Sequence, residues 1–93
     1  MSTNLDAINK ILNEIKSELT NLISLAKNSE RLDSKNLSNQ TKILNEIIHT
    51  SEISEKDKSM LEKFALTLQE GITAKSLRYE KQDLERVLSN LND

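Results

Sequence analysis

The apolar residues in the first third of the chain recur at alternating intervals of three and four residues. This spacing places them on one stripe of an α-helix, and such a stripe is buried by packing against other helices. The pattern therefore predicts an amphipathic first helix, which begins near Asn4 and ends near Lys27. The stripe consists of Leu5, Ile8, Leu12, Ile15, Leu19, Leu22 and Ala26.

Further apolar residues flank this stripe. With Leu5 at heptad position a, Ile11 and Leu25 fall at g and Ile23 falls at e. The apolar face is thus wider than a two-stranded coiled coil needs, and it suits a three- or four-helix arrangement better.

A short segment occurs twice. Lys10–Ile15 recurs residue for residue as Lys42–Ile47, and eight of the twelve residues from Asn4 to Ile15 are identical to those 32 positions later. The repeat indicates either a duplicated helix that presents two equivalent surfaces, or the reuse of residue types that are abundant in this chain.

Two further helices follow from the pattern. Ser34 is a plausible N-cap for a second helix to about residue 50, with Leu37, Gln40, Leu44 and Ile47 in its seam. Ser54 begins a third, which carries Met60, Leu61, Phe64, Leu68 and Ile72 on one face and then Leu77, Leu84, Leu88 and Leu91. The step from Ile72 to Leu77 breaks phase at Gly71, so the helix either kinks there or divides into two shorter helices. Of these we favour one long, bent helix over about 55–91.

The composition agrees with a single all-α domain over residues 1–93. The chain has no Pro and one Gly, so it lacks the turn residues that all-β and α/β folds need. It also lacks the β-branched runs that are typical of their strands. We predict a small helical bundle: a coiled-coil-like hairpin, helices about 4–27 and 34–50, plus the long third helix. Because so short a chain buries limited apolar surface, we also expect a homo-oligomer.

Charge and residue types exclude several functions. A net charge of −2 with mixed signs gives no footprint for nucleic acid or for an anionic membrane. The absence of Cys removes disulfides and thiolate chemistry. No apolar run is long enough to span a bilayer, and the amino terminus does not resemble a signal peptide. We therefore expect a cytoplasmic protein that binds neither nucleic acid nor membrane.

Candidate catalytic groups are scarce. His49 is the only histidine, and its place near a helix end favours a role in complementing the helix dipole. Glu46 and His49 form a Glu-x-x-His pair, which in a dimer with Glu14 or Glu18 resembles the ligand set of carboxylate di-iron proteins. The heptad phase points Glu14, Glu46 and His49 away from the core, so we predict no metal, no cofactor and no enzymatic activity.

One short motif near the carboxyl terminus has the form Y-x-x-x-D, from Tyr79 to Asp83. It resembles the export tag of type VII secretion substrates, which are small helical hairpins of about this length. The Trp-x-Gly turn of that family is absent. We interpret Tyr79 as a surface residue beside ordinary helix charges.

The sequence thus favours a non-enzymatic interaction protein that binds a protein partner through apolar helix faces. Adaptors, chaperones and inhibitors fit this description, including those of phages, mobile elements and secretion systems. A self-assembling structural bundle is the alternative, and a dimeric di-metal protein is a remote second one. The predicted partner-binding residues are Ile11, Ile23, Leu25, Ile43 and Ile48.

Overall fold

The protein is all-helical. The computed structural model describes residues 3–27, 33–70, 73 and 75–91. These residues form four helices and no strand, which confirms the predicted fold class. The helices are α1 (Thr3–Lys27), α2 (Lys35–Thr50), α3 (Glu55–Gln69) and α4 (Leu77–Leu91).

The four helices pack in chain order around a common core. α1 packs against α2 and α4, and α3 packs against the same two helices. Sequential neighbours run antiparallel: the start of α2 lies beside the end of α3, and Asn90 near the end of α4 donates a hydrogen bond to Met60 Sδ near the start of α3, at 3.8 Å. The start of α4 lies beside the end of α1, which closes the bundle.

The α1 stripe lies in the core as predicted. Its five central members are buried, and Leu5 and Ala26 at its two ends pack against the core as partly buried residues. Because α1 lies between α2 and α4, its wide apolar face is covered from both sides, so Ile11 is buried too. The five buried members are Ile8, Leu12, Ile15, Leu19 and Leu22.

The predicted seam of α2 was half wrong. Leu37 and Leu44 are buried as expected, but the other buried positions are Thr41 and Ile48 rather than Gln40 and Ile47, which are half-buried. Thr41 can lie in the core because its hydroxyl donates to Leu37 O at 2.7 Å, which satisfies the hydroxyl within the helix.

The favoured interpretation of one long, kinked helix over 55–91 is not confirmed, and the alternative of two shorter helices describes this stretch better. This stretch forms α3 and α4, which run antiparallel and contact each other along their lengths. Thr73 and Ser76 make reciprocal bonds at the start of α4: Thr73 N donates to Ser76 Oγ (3.0 Å), and Ser76 N donates to Thr73 Oγ1 (3.2 Å). These bonds satisfy backbone donors outside the helix and define a new helix start, as a capping box does.

The amino termini of α2 and α3 are capped in different ways. Ser54 caps α3 as predicted, because its Oγ accepts a hydrogen bond from Asp57 N at 3.1 Å. Ser34 precedes α2 as predicted but makes no side-chain cap; instead Lys35 N donates to Asp33 Oδ1 at 3.0 Å. The phase slip predicted at Gly71 lies outside the described residues.

Candidate functional site

The five residues predicted to bind a partner do not form one surface. Ile11 and Ile48 are buried in the core of the bundle, so they are not accessible on the folded chain. Ile23 and Leu25 are partly buried against the core, and Ile43 is 47% exposed. Of the five, only Ile23, Leu25 and Ile43 therefore remain accessible on the folded chain.

The residues considered as metal ligands are distributed over two helices. Glu14, Glu46 and His49 are exposed, as their heptad positions predicted, and Glu18 is half-buried. Within residues 3–27, 33–70, 73 and 75–91, no three or more His, Cys, Asp or Glu side chains come together as a metal site would require.

Three large apolar or aromatic side chains in the described ranges are exposed, and each belongs to a different helix. They are Ile43 on α2, Leu66 on α3 and Tyr79 on α4. Isolated exposed apolar residues are ordinary on soluble proteins. Tyr79 differs from the other two because it stands at the edge of a cleft, and it is 69% exposed.

This α1–α4 cleft lies where the last turn of α1 meets the first turn of α4, and its volume is about 610 Å³. Its apolar part comes from Ile23 and Ala26, which are half-buried, together with the ring of Tyr79. Its charged part comes from three exposed cations, one at the end of α1 and two at or just before the start of α4. The lining residues are Ile23, Ala26, Lys27, Lys75, Arg78 and Tyr79.

The fold explains why these residues meet. α1 is antiparallel to α4, so the basic last turn of α1 lies beside the segment that leads into α4. The reciprocal Thr73–Ser76 bonds hold the backbone that carries Lys75 and starts α4 at Leu77. Arg78 then follows Leu77, which is buried and anchors this end of α4 in the core.

The electrostatics of the α1–α4 cleft are one-sided. All three of its charged lining residues are cationic, whereas the whole chain carries a net charge of −2. A cluster of like charges around an apolar surface creates a local potential that attracts anionic groups and raises their local concentration. The cleft can therefore bind a ligand that combines negative charge with an apolar group.

Two other clefts have different linings. The α2–α3 cleft, about 330 Å³, is lined mainly by hydroxyl and amide side chains with one cation, Lys42. The α3–α4 cleft, about 280 Å³, contains Lys63 and Arg86, but Asp83 is also there and pairs with Arg86 at 3.6 Å. Both clefts are smaller than the α1–α4 cleft, and neither combines several cations with an acid-free lining.

One charged residue of α4 lies inside the bundle. Glu80 is 6% exposed on the core-facing side of α4, and its Oε2 is buried without a hydrogen-bond partner. A buried polar atom without a partner lowers stability because its hydration is lost and not replaced. Glu80 is next to Tyr79 in sequence but does not line the cleft.

Sequence reasoning missed the cleft. The sequence pattern placed Tyr79 on the surface of one long helix and did not single out Arg78. The signal that could have located the site is the pair Thr73 and Ser76, which has the spacing of a capping box and places a helix start directly before Arg78.

No family model matches the chain, and neither the curated proteins nor the solved structures contain a match. None of the helices in the described part of the chain is long and apolar enough to cross a membrane.

Proposed function

We propose that this protein is a non-enzymatic protein-binding module, an adaptor, chaperone or inhibitor that docks a partner protein at the α1–α4 cleft. The observation that supports this function is the exposed ring of Tyr79 in a cleft that Ile23, Ala26 and Arg78 also line. Tyr and Arg are the residue types that, with Trp, contribute most of the binding energy in protein interfaces.

The proposal relocates the partner surface that the sequence suggested. Of the residues first proposed, Ile23 belongs to the cleft, whereas Ile11 and Ile48 already stabilise the bundle from inside. Docking at the cleft would cover Tyr79 without any rearrangement of the core, which is the usual behaviour of preorganised interfaces.

The test is co-purification of the tagged chain from its native cells, with two alanine variants in parallel. Tyr79→Ala removes the exposed ring at the cleft, and Leu66→Ala removes an exposed apolar side chain of similar accessibility on α3. We expect Tyr79→Ala to abolish recovery of the partner and Leu66→Ala to leave it unchanged, because truncation of a hot-spot residue weakens binding by about 2 kcal/mol or more.

Other outcomes contradict the proposal in different ways. Equal recovery with both variants would place the docking surface elsewhere. A discrete homo-oligomer that retains no other protein would instead support the structural, self-assembling alternative. Light scattering on the same preparations distinguishes these cases, because it measures the mass of whatever complex the chain forms.

A further inference from the structure

We propose that the α1–α4 cleft recognises an acidic segment of a partner protein, a short stretch of Asp and Glu residues that carries one apolar side chain. This inference rests on the protein-binding function proposed above, and it names the chemistry of the partner. The cations would face the carboxylates, and the apolar side chain would lie on Ile23 and Ala26 beside the ring of Tyr79.

The first support is charge complementarity. Lys27, Lys75 and Arg78 are exposed and line one cleft, and none of the other lining residues is acidic. The nearest acid along α4 is Glu80, whose side chain is buried in the bundle. Carboxylates placed among the three cations would relieve their mutual repulsion, which favours acidic partners and disfavours basic ones.

The second support is the contrast with the rest of the molecule. With the three cleft cations set aside, ten basic and fifteen acidic residues remain in the sequence, a net charge of −5. A long polyanion such as DNA or RNA would extend beyond the cleft to the rest of the chain, whose formal charge is net negative. A short acidic peptide segment is small enough to interact with the cations alone, so the charge distribution favours the peptide.

The third support is the apolar part of the cleft. Ile23 and Ala26 are half-buried and remain accessible between the two helices. A free phosphate ion would leave this surface in water, whereas a Leu or Phe side chain between two carboxylates would cover it.

The experiment uses a fluorescein-labelled peptide of about eight residues in which Asp and Glu flank a single Leu. Its binding to the full chain is measured by fluorescence anisotropy, together with an analogue that carries Asn and Gln in place of the acids. We expect the acidic peptide to bind at least about tenfold tighter than the amide analogue, and to lose affinity as salt is raised from about 0.05 M to 0.5 M.

Two arginine variants localise the binding. Arg78→Gln removes a cation of the cleft, and Arg86→Gln removes an exposed arginine of the same helix that lies outside it. Arg78→Gln should weaken the acidic peptide about tenfold, and Arg86→Gln should leave it within about twofold. Because both side chains are exposed, both variants should keep the wild-type melting curve, which circular dichroism checks.

Several results would overturn the inference. These are equal affinity for the acidic and amide peptides, equal weakening by the two arginine variants, or tighter binding of a single-stranded oligonucleotide of matched charge. Absence of peptide binding at millimolar concentration would also overturn it. The proposed function can survive each of these results, since it fails separately when Tyr79→Ala does not alter recovery of the partner.

Discussion

Replacement of Glu80 by Met is expected to stabilise the protein. Glu80 lies on the buried side of α4, between core positions Leu77 and Leu84, and its Oε2 has no hydrogen-bond partner. Met has a similar length and a similar helix propensity, so the substitution removes the buried polar group with little change in packing or backbone preference.

The expected magnitude follows from two opposing effects. A buried polar group without a partner destabilises the folded state by about 1–3 kcal/mol, and replacement of this group by an apolar side chain removes that cost. Against this, Glu80 is in the first turn of α4, where an acid interacts favourably with the helix dipole by about 0.3–1 kcal/mol. The first effect is larger, so we expect a net gain of about 1–2 kcal/mol.

Urea denaturation followed by circular dichroism at pH 7 measures this gain as a higher midpoint at an unchanged slope. For a domain of this size each kcal/mol also raises the melting temperature by about 4–8 °C. The matched control is Glu85→Met, an exposed glutamate of the same helix, for which we expect a change within about 0.5 kcal/mol. Destabilisation by Glu80→Met of more than about 1 kcal/mol would refute this reasoning, because it would mean that the carboxylate makes a favourable interaction that its geometry does not reveal.

Three further predictions test the packing and the capping. Leu12→Asp should unfold the chain at 25 °C, since a buried unpaired carboxylate costs several kcal/mol, and a native circular dichroism spectrum would contradict the placement of Leu12 in the core. Leu44→Ala should lower the free energy of unfolding by about 2–5 kcal/mol, because Leu44 is fully buried. Ile43→Ala should lower it by less than about 1 kcal/mol, because Ile43 is 47% exposed. Similar losses for the two variants in urea titrations would show that α2 is rotated differently. Ser54→Ala should destabilise the protein by about 1 kcal/mol, because the hydrogen bond to the α3 backbone is lost. Ser59→Ala, within α3, should not destabilise it. Equal melting temperatures for the two variants would argue against the cap.

The core of α1 was predictable because its spacing allows one solution. Every member of the stripe from Ile8 to Leu22 is apolar at its 3-4 interval, and helical geometry places them on one face regardless of which helices cover it. The start of α3 was predictable for a similar reason, since the Ser54 cap is a local bond between residues three apart.

The rotation of α2 was not predictable from spacing. Both Gln40 and Thr41 lie within one turn of Leu37 and Leu44, and apolar periodicity does not choose between an amide and a hydroxyl. The choice depends on hydrogen bonding. Thr41 satisfies its own hydroxyl on Leu37 O, whereas Gln40 needs an external partner and has a buried Oε1 without one, even at its half-buried position.

The α1–α4 cleft was beyond sequence reasoning because it joins residues about fifty positions apart. Lys27 and Arg78 become neighbours only if the chain reverses direction between α3 and α4. A continuous helix over 55–91 would have carried Arg78 away from the end of α1. Because the start of α4 at Leu77 was not predicted, the three cations could not be recognised as a cluster from the sequence.

The reversal also changes the reasoning about self-association. We expected an oligomer because so short a chain buries limited apolar surface. With α4 folded back against α1, the apolar face of α1 is covered within one chain, and seventeen hydrophobic residues of the described ranges form a single buried cluster. Self-association is thus not required to complete the core, and any oligomer would have to form through surface residues such as Ile43 or Leu66. Substitution of Ile43 or Leu66 by Lys would then dissociate the oligomer, which light scattering would detect. The same substitution should lower the free energy of unfolding of the monomer by no more than about 0.5–1 kcal/mol in urea denaturation.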